Sequence, residues 1–375
     1  MTPPAHEHDQ PPFAEGDILP DIVLPSSRAQ LVRLSAHVAK AHQVLLFCPD
    51  PRLPACRDKL RTFAGRFAEL APLASVFAIA NTTPEENAAF LERDPLPFPV
   101  LSDLERQVAR GLGIAHNVDG PSSPDGADAF SIVVNGVNRR MVTAMRGSRE
   151  PDPALSVLAF LRSLPRREAR RLGRFAPLLY VPQVFERDFC QALIAAFERG
   201  ESKESGYIRS TGAYGESERV IDRAQKSRRD LKVGDPTLLA GIGRRVDRRL
   251  APEIKKALTR QVTGVEEFKV VRYDAETGGH FSAHRDNTAQ RNAHRRFALT
   301  LNLNAEDYEG GALRFPEYGP DLYAPDTGDA VVFSCSLLHE ATPVVKGRRY
   351  ALLAFFFDEE SSRLNDRVHG GPASP

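Results

Sequence analysis

At 375 residues the chain exceeds one usual domain and can bury two separate cores. Its 50 Lys and Arg against 49 Asp and Glu leave a net charge of +1, which excludes a general attraction for nucleic acid or an anionic membrane. Four cysteines, at 48, 56, 190 and 335, make no disulfide framework, the longest apolar runs are strand-sized, and the opening Met1-Thr-Pro-Pro-Ala-His-Glu lacks a leader pattern, so a cytoplasmic protein is expected.

Residues 1–12 are polar and Pro-rich and read as a disordered tail. A first domain is expected over 13–164. Residues 43–48 and 75–80 are short apolar strands, and Leu60, Phe63, Phe67 and Leu70 recur at helical spacing. Thr83-Pro-Glu-Glu86 supplies an N-cap, a proline at the first helical position and a capping Glu. Strands follow at 98–101, 129–134 and 139–144, and then a helix over 153–164. Such alternation predicts an α/β sheet with helices on its faces.

Arg166, Arg167, Arg170, Arg171 and Arg174 crowd the segment 165–175, read as a linker or solvated face. A second domain is expected over 176–360, with a further disordered tail at 361–375. Helices are predicted at 186–199 and 236–250. Residues 201–235, rich in Gly, Ser and Arg, read as a mobile loop in which Tyr207, Tyr214, Arg229 and Asp230 are either a substrate lid or ordinary solvent residues. From 268 short strands dominate, at 268–274, 297–304, 312–316, 329–335 and 349–357, with clean alternation in Phe297, Leu299, Leu301 and Leu303. The pattern predicts a double-stranded β-helix, a jelly-roll barrel with supporting helices.

His284-Arg285-Asp286 and His339 stand out for chemistry. Two residues apart on a strand, a His and an Asp face the same way, and His339 follows another apolar run that would return it to the same centre. Two imidazoles and one carboxylate leave other metal positions open, the arrangement of non-haem Fe(II) oxygenases. His280 and His294 read as loop residues or supports of the ligands; His6, His8, His37, His42, His116 and His369 have no matching context.

The motif lies in an ordered series: Tyr273-Asp274, Gly278-Gly279-His280-Phe281, His284-Arg-Asp286, Thr300-Leu-Asn302, Glu309-Gly310-Gly311, Gly328-Asp329, His339-Glu340 and Gly347-Arg-Arg349-Tyr350. Over most of 265–358 this resembles the Fe(II)- and 2-oxoglutarate-dependent dioxygenases of the prolyl 4-hydroxylase type. The resemblance implies that His284, Asp286 and His339 bind Fe(II), and that Arg349 pairs with the distal carboxylate of 2-oxoglutarate. Arg348 is the competing basic residue. Tyr273 is either a hydrogen-bond partner of the cosubstrate or a core residue, and Thr300 is a further candidate of that kind. It also implies dioxygen as co-reactant, succinate and CO2 as products and ascorbate as reductant. Asp286 in the motif favours hydroxylation over halogenation. A prolyl residue is the natural substrate guess, with other protein, peptide or small-molecule substrates open and no nucleic-acid motif apparent.

Residues 16–24, 45–56 and 98–103 resemble the peroxiredoxin branch of the thioredoxin fold. Cys56, after Pro54-Ala55, occupies the peroxidatic position, where a helix N-terminus favours the thiolate. Cys48 is the nearest thiol in sequence. Two positions depart from the pattern: Leu53 replaces a hydroxyl residue and Ala129 replaces an arginine. The leading expectation is a dioxygenase that hydroxylates a C–H bond. The alternatives are a thiol peroxidase acting through Cys56 and a non-enzymatic sensor of iron, oxygen or peroxide. Sequence sets no oligomeric state.

Overall fold

The computed structural model describes residues 13–37, 42–113, 130–136, 139–146, 152–165, 173, 175–210 and 217–363. The expected tail at 1–12, most of the expected linker 165–175 and the C-terminal tail beyond Arg363 therefore lie outside the described residues. The chain divides into two compact units, Met1–Ala169 and Arg170–Pro375.

The first unit is built on a five-stranded sheet in the order Val100–Ser102, Ala74–Ala80, His42–Cys48, Phe130–Asn135, Met141–Arg146. The first three strands run parallel and the last two pair antiparallel. Period-two alternation decides which core each residue joins. Val44, Leu46 and Cys48 pack with Leu60, Phe63 and Leu158 of the helices Pro54–Gly65 and Pro153–Ser163. Leu45 and Phe47 point to the other face, against Leu19, Leu34 and Leu112. Because both faces are covered, the strands read as continuous apolar runs rather than alternating ones. The helix Pro84–Arg93 begins with the full capping box: the Glu86 amide donates to the Thr83 hydroxyl and the Thr83 amide to the Glu86 carboxylate. This is a thioredoxin-like α/β fold.

The second unit holds two sheets facing across a cavity. The larger contains, in order, Leu178–Val181, Ala330–Ser334, Phe297–Asn302, Val344–Phe357, Lys269–Asp274, Arg229–Lys232 and Lys203–Glu204, and the smaller Lys226–Ser227, His280–His284, His339–Ala341, Leu313–Arg314 and Leu322–Tyr323. The helices Arg187–Arg199, Pro236–Arg245 and Ala251–Leu258 lie on the outer face of the larger sheet. Tyr350, Leu352, Ala354 and Phe356 of the 14-residue strand Val344–Phe357 pack against them, as do Leu299 and Leu301. The alternate residues Arg349, Ala351 and Leu353, with Ala298 and Thr300, face inward. The double-stranded β-helix is thus legible in which residues share a core.

Two elements differ from expectation. The expected helix over 236–250 is present but not α-helical throughout: it is α-helical to Arg245, widens to a π-helical turn over Val246–Leu250 and continues as an α-helix over Ala251–Leu258. Pro252 has no N–H to give the carbonyl four residues earlier, and a wider turn absorbs the missing bond. The segment 201–235, read as a loop, contributes short strands to both sheets, Lys226–Ser227 to the smaller and Arg229–Lys232 to the larger. Strands of two to four residues are too short to show a period.

Candidate active site

His284 ends its strand and is the register partner of His339 on the neighbouring strand, so two imidazoles meet with ring centroids 4.3 Å apart. Asp286 is not on that strand, as the alternation argument assumed, but in the turn beyond it, where its amide donates to the Cys335 carbonyl at 3.0 Å. The turn carries its carboxylate between the rings: Oδ1 is 3.5 Å from His284 Nε2 and Oδ2 is 3.3 Å from His339 Nε2. One ligand atom from each of the three lies within 4.8 Å of the others.

The tautomers follow from the hydrogen bonds. His284 Nδ1 lies 2.8 Å from the Ser282 carbonyl and His339 Nδ1 3.0 Å from that of Leu337. A carbonyl only accepts, so each Nδ1 carries the proton and each Nε2 offers a lone pair toward the same point. Burial holds the His339 imidazole below its ordinary value, which favours this neutral form. Burial alone would raise the Asp286 carboxyl; positive charge on the His339 and His284 rings, present when they are protonated, and on Arg295 outweighs it and holds the carboxyl below the usual range, and with neutral rings a bound cation would take over that part. Three unprotonated ligand atoms converging in a buried cavity are the donor set that a divalent metal requires.

A bulge shapes the smaller sheet at this point. Phe281 pairs with Ala341 and His284 with His339, so one strand spends three steps where its neighbour spends two. In a regular strand Phe281 and His284 would face opposite ways. The extra residue turns both rings to the cavity, where they stack at 3.5 Å with an interplanar angle of 23°. Phe333 packs edge-on against His339 with centroids 4.6 Å apart.

These groups line a cavity of about 590 Å³ that also receives Arg349, Tyr273 and Thr300 from the larger sheet. Arg349 is 3 % exposed and its Nε has no hydrogen-bond partner. Gly311 lets its stem pass: at φ +61° a Cβ there would stand 3.0 Å from Arg349 Cδ and 2.8 Å from Val344 Cγ2. Arg348, on the opposite face of the strand, is half exposed and pairs with Asp274 at 3.3 Å. Arg349 is therefore the arginine that faces the cavity. A buried guanidinium left with an unmet donor is unfavourable, and a carboxylate of a small dianion would satisfy it.

Tyr273 is the register partner of Arg349, whose guanidinium carbon lies 5.3 Å from the tyrosine ring centroid. Its hydroxyl accepts from Arg228 Nη1 at 3.2 Å, which leaves its own hydrogen to donate elsewhere. Arg228 is fixed by a bidentate pair with Asp230, at 2.6 and 2.8 Å. Burial would raise Asp230, but the Arg228 charge brings it down to about 2. Lys226, pushed well down by burial, donates to the Gly206 carbonyl at 2.9 Å and lies 4.4 Å over the Phe281 ring. Sequence reasoning passed over Lys226 and Arg228. Their signal was the charged triplet Lys226, Arg228, Asp230 at period two, hidden in a segment read as loop.

Of the proposed lid residues, Tyr207 and Asp230 line the cavity; Arg229 turns away to Ser202, and Tyr214 lies outside the described residues. His280 is held by the carbonyls of Gly278 and Ala224, and buried His294 by Glu266 at 2.9 Å. Neither joins the ligand cluster.

In the first unit, Cys56 lies in the opening turn of the helix Pro54–Gly65 and is fully buried, close to Cys48. Leu53 is the N-cap residue and provides no side-chain cap. Ala129 lies outside the described residues. No described helix is long and apolar enough to cross a membrane.

Residues 268–357 match the 2OG-Fe(II) oxygenase superfamily and residues 16–134 the AhpC/TSA family. The chain is 34 % identical over 84 residues to a PKHD-type hydroxylase of Synechococcus sp. (strain CC9605), a match covering 22 % of this chain and 38 % of that protein. It is 28 % identical over 155 residues to a Mycobacterium tuberculosis (strain CDC 1551 / Oshkosh) relative named as a peroxiredoxin, covering 40 % of this chain and 97 % of the relative. Among solved structures, peroxidoxin BcpB of Mycobacterium tuberculosis aligns with a TM-score of 0.36 at 25 % identity, over 40 % of this chain and 98 % of that one. A Trichoplax adhaerens prolyl hydroxylase in complex with a hypoxia inducible factor peptide aligns with a TM-score of 0.40 at 17 % identity, over 50 % and 86 %. Two stretches of the chain thus match two different family models, the AhpC/TSA family in the first unit and the 2OG-Fe(II) oxygenase superfamily in the second.

Proposed function

We propose that the second unit is an Fe(II)- and 2-oxoglutarate-dependent dioxygenase that hydroxylates a C–H bond. His284, Asp286 and His339 hold the metal through Nε2, a carboxylate oxygen and Nε2. Arg349 takes the distal carboxylate of 2-oxoglutarate, with Tyr273 donating its hydroxyl hydrogen and Thr300 lining the same end. The observation that carries the reading is the buried Arg349 guanidinium, with an unmet Nε donor, in the same cavity as three converging metal-ligand atoms. When bound, the metal and 2-oxoglutarate would couple dioxygen activation to oxidative decarboxylation, releasing succinate and CO2 and hydroxylating the substrate.

The chain's own part is positioning. The Nδ1 hydrogen bonds set both imidazoles with their lone pairs inward, and the Phe281 and Phe333 rings restrict their rotation. Arg228, locked by Asp230, orients the Tyr273 hydroxyl. Phe281, Leu313, Phe333 and Leu353 supply much of the apolar part of a lining that is otherwise polar and charged. Asp286 supplies the carboxylate that hydroxylation needs. The substrate is an unidentified protein, peptide or small molecule, and a prolyl residue in a peptide is the first to test. Ascorbate is the reductant we propose to supply with it.

The test is succinate formation from 2-oxoglutarate by protein loaded anaerobically with Fe(II) and then given oxygen and ascorbate, across peptide and lysate substrates. Turnover lost in His339→Ala is the expected result. No turnover by wild type shown to contain iron, across that range, would remove the reading.

A further inference from the structure

The cavity of the second unit holds one more buried cation that the cosubstrate leaves unused. Lys226 lies on the smaller sheet as the register partner of Phe281, and cross-strand partners share a face. Its Nζ stands 4.4 Å over the Phe281 ring. That ring stacks on His284 at 3.5 Å, so the imidazole fills one of its faces and the ammonium takes the other. Lys226 is therefore one ring's thickness from a proposed metal ligand, and it belongs to the smaller sheet whereas Arg349 belongs to the larger.

The other cations of the lining are already neutralised or face solvent. Arg228 pairs with Asp230, Arg295 with Glu266, Lys269 with Glu267 and Arg285 with Glu317, while Arg291 is exposed. Lys226 is 5 % exposed, and among the described residues no carboxylate lies within ion-pair distance of it. Of its three N–H donors, one goes to the Gly206 carbonyl at 2.9 Å. Burial, with the Arg228 charge nearby, pushes the ammonium well down. A buried lysine that meets only a carbonyl and a ring is unfavourable, and a carboxylate docked beside it would supply the opposite charge and further acceptors.

We propose that Lys226 binds a carboxylate of the substrate, so that the compound hydroxylated by the second unit carries a carboxylate close to the C–H bond that reacts. This deepens the dioxygenase reading and rests on it. Two anions then dock on two sheets: 2-oxoglutarate on Arg349 of the larger and the substrate on Lys226 of the smaller. Phe281 and Phe333, packed against the two imidazoles, give the substrate's carbon skeleton an apolar floor beside the ligands. A neutral substrate would leave the Lys226 ammonium buried without a partner, and that penalty discriminates against it. The carboxylate belongs either to a free acid or to a peptide, through a side chain or the C-terminus.

The test measures succinate formation by the Fe(II)-loaded full chain at saturating 2-oxoglutarate, with probes offered in acid and amide pairs. The pairs are free L-amino acids against their amides, peptides of the same residues with free against amidated C-termini, and peptides with Glu against Gln. Acid members should raise succinate above the level without probe, and their amides should not. A response among free amino acids identifies a small-molecule substrate and one confined to peptides a peptide carboxylate; either supports the proposal. In Lys226→Met the KM for the active acid should rise by about 10- to 100-fold, the range of a charge-assisted hydrogen bond, with the KM for 2-oxoglutarate within about twofold of wild type. Lys226→Arg should recover part of that loss. The acid and amide comparison is made on wild type, so it stands whether or not the variants fold. Amides as active as acids, no response to any acid, or a Lys226→Met protein whose 2-oxoglutarate KM rises while its acid KM does not, would overturn the proposal and leave the dioxygenase standing on its basal succinate formation. No succinate from iron-containing wild type under any of these conditions is the separate failure of the dioxygenase reading, and it takes this proposal with it.

Discussion

Replacing Arg349 by methionine tests the cosubstrate assignment with two opposite signs. The guanidinium is buried and one of its donors is unmet, so in the absence of 2-oxoglutarate it is a liability to the folded state. Methionine fills similar space without a charge. The melting temperature of the metal-free, 2-oxoglutarate-free protein should therefore stay at or above that of wild type. Binding should move the other way. A bidentate guanidinium–carboxylate pair is worth about 3 kcal/mol at the low end of its usual range, so the KM for 2-oxoglutarate should rise by roughly 100-fold. Succinate formation against 2-oxoglutarate concentration reads this directly, with Arg348→Met as the control, since Arg348 pairs with Asp274 on the solvent side. A KM change in Arg348→Met equal to that in Arg349→Met would refute the assignment. So would a large fall in the melting temperature of Arg349→Met, which would make the residue structural.

Tyr273→Phe removes one neutral hydrogen-bond donor and should raise the 2-oxoglutarate KM by about 3- to 10-fold, in line with roughly 1 kcal/mol, with Fe(II) affinity by titration unaffected. Gly311→Ala deletes no bond to the cosubstrate, yet the new Cβ meets the Arg349 stem at 3.0 Å; its 2-oxoglutarate KM should rise, and an unchanged value would mean the stem has room to move. The Arg228–Asp230 pair should add stability in full above the ordinary Asp value of about 3.9, and lose it as pH falls toward the folded value of about 2. Acid unfolding followed by circular dichroism should show a shallower slope in that window for Asp230→Asn, together with a lower stability at neutral pH from the stranded Arg228 charge.

What could be read from the sequence divides along physical lines. The strands Phe297–Asn302 and Val344–Phe357 announce themselves because one face meets helices and the other a cavity, so burial alternates. Thr83 and Glu86 were legible because a capping box is a local event with a fixed spacing. Asp286 was assigned to a strand because His-x-Asp fits one, whereas a turn brings it to the same place. The bulge that turns Phe281 onto His284 depends on a neighbouring strand far along the chain, and no local pattern records it. The string Arg57-Asp58-Lys59 has the composition of a solvated helix face, yet Lys59 is 5 % exposed, because the core that covers it is assembled from distant strands. In the same way, strands as short as Lys226–Ser227 exist only through their partners.

The pairing of Tyr273 with Arg349 and of Asp274 with Arg348 has an implication for how this chain tolerates changes in length. Two adjacent arginines look redundant, but they sit on opposite sides of one ribbon and perform unlike tasks. Deleting a single residue between Ala341 and Lys346 would invite the ribbon to slide one step against its neighbour. The slide would bring Arg348 inside and send Arg349 to solvent while also reversing Leu352, Ala354 and Phe356 from helix-facing to cavity-facing. An insertion or deletion there is therefore not a loop edit, and a two-residue change should be better accepted than a one-residue change. The parity of that short segment, more than its composition, is what a homologue or a redesigned variant must preserve.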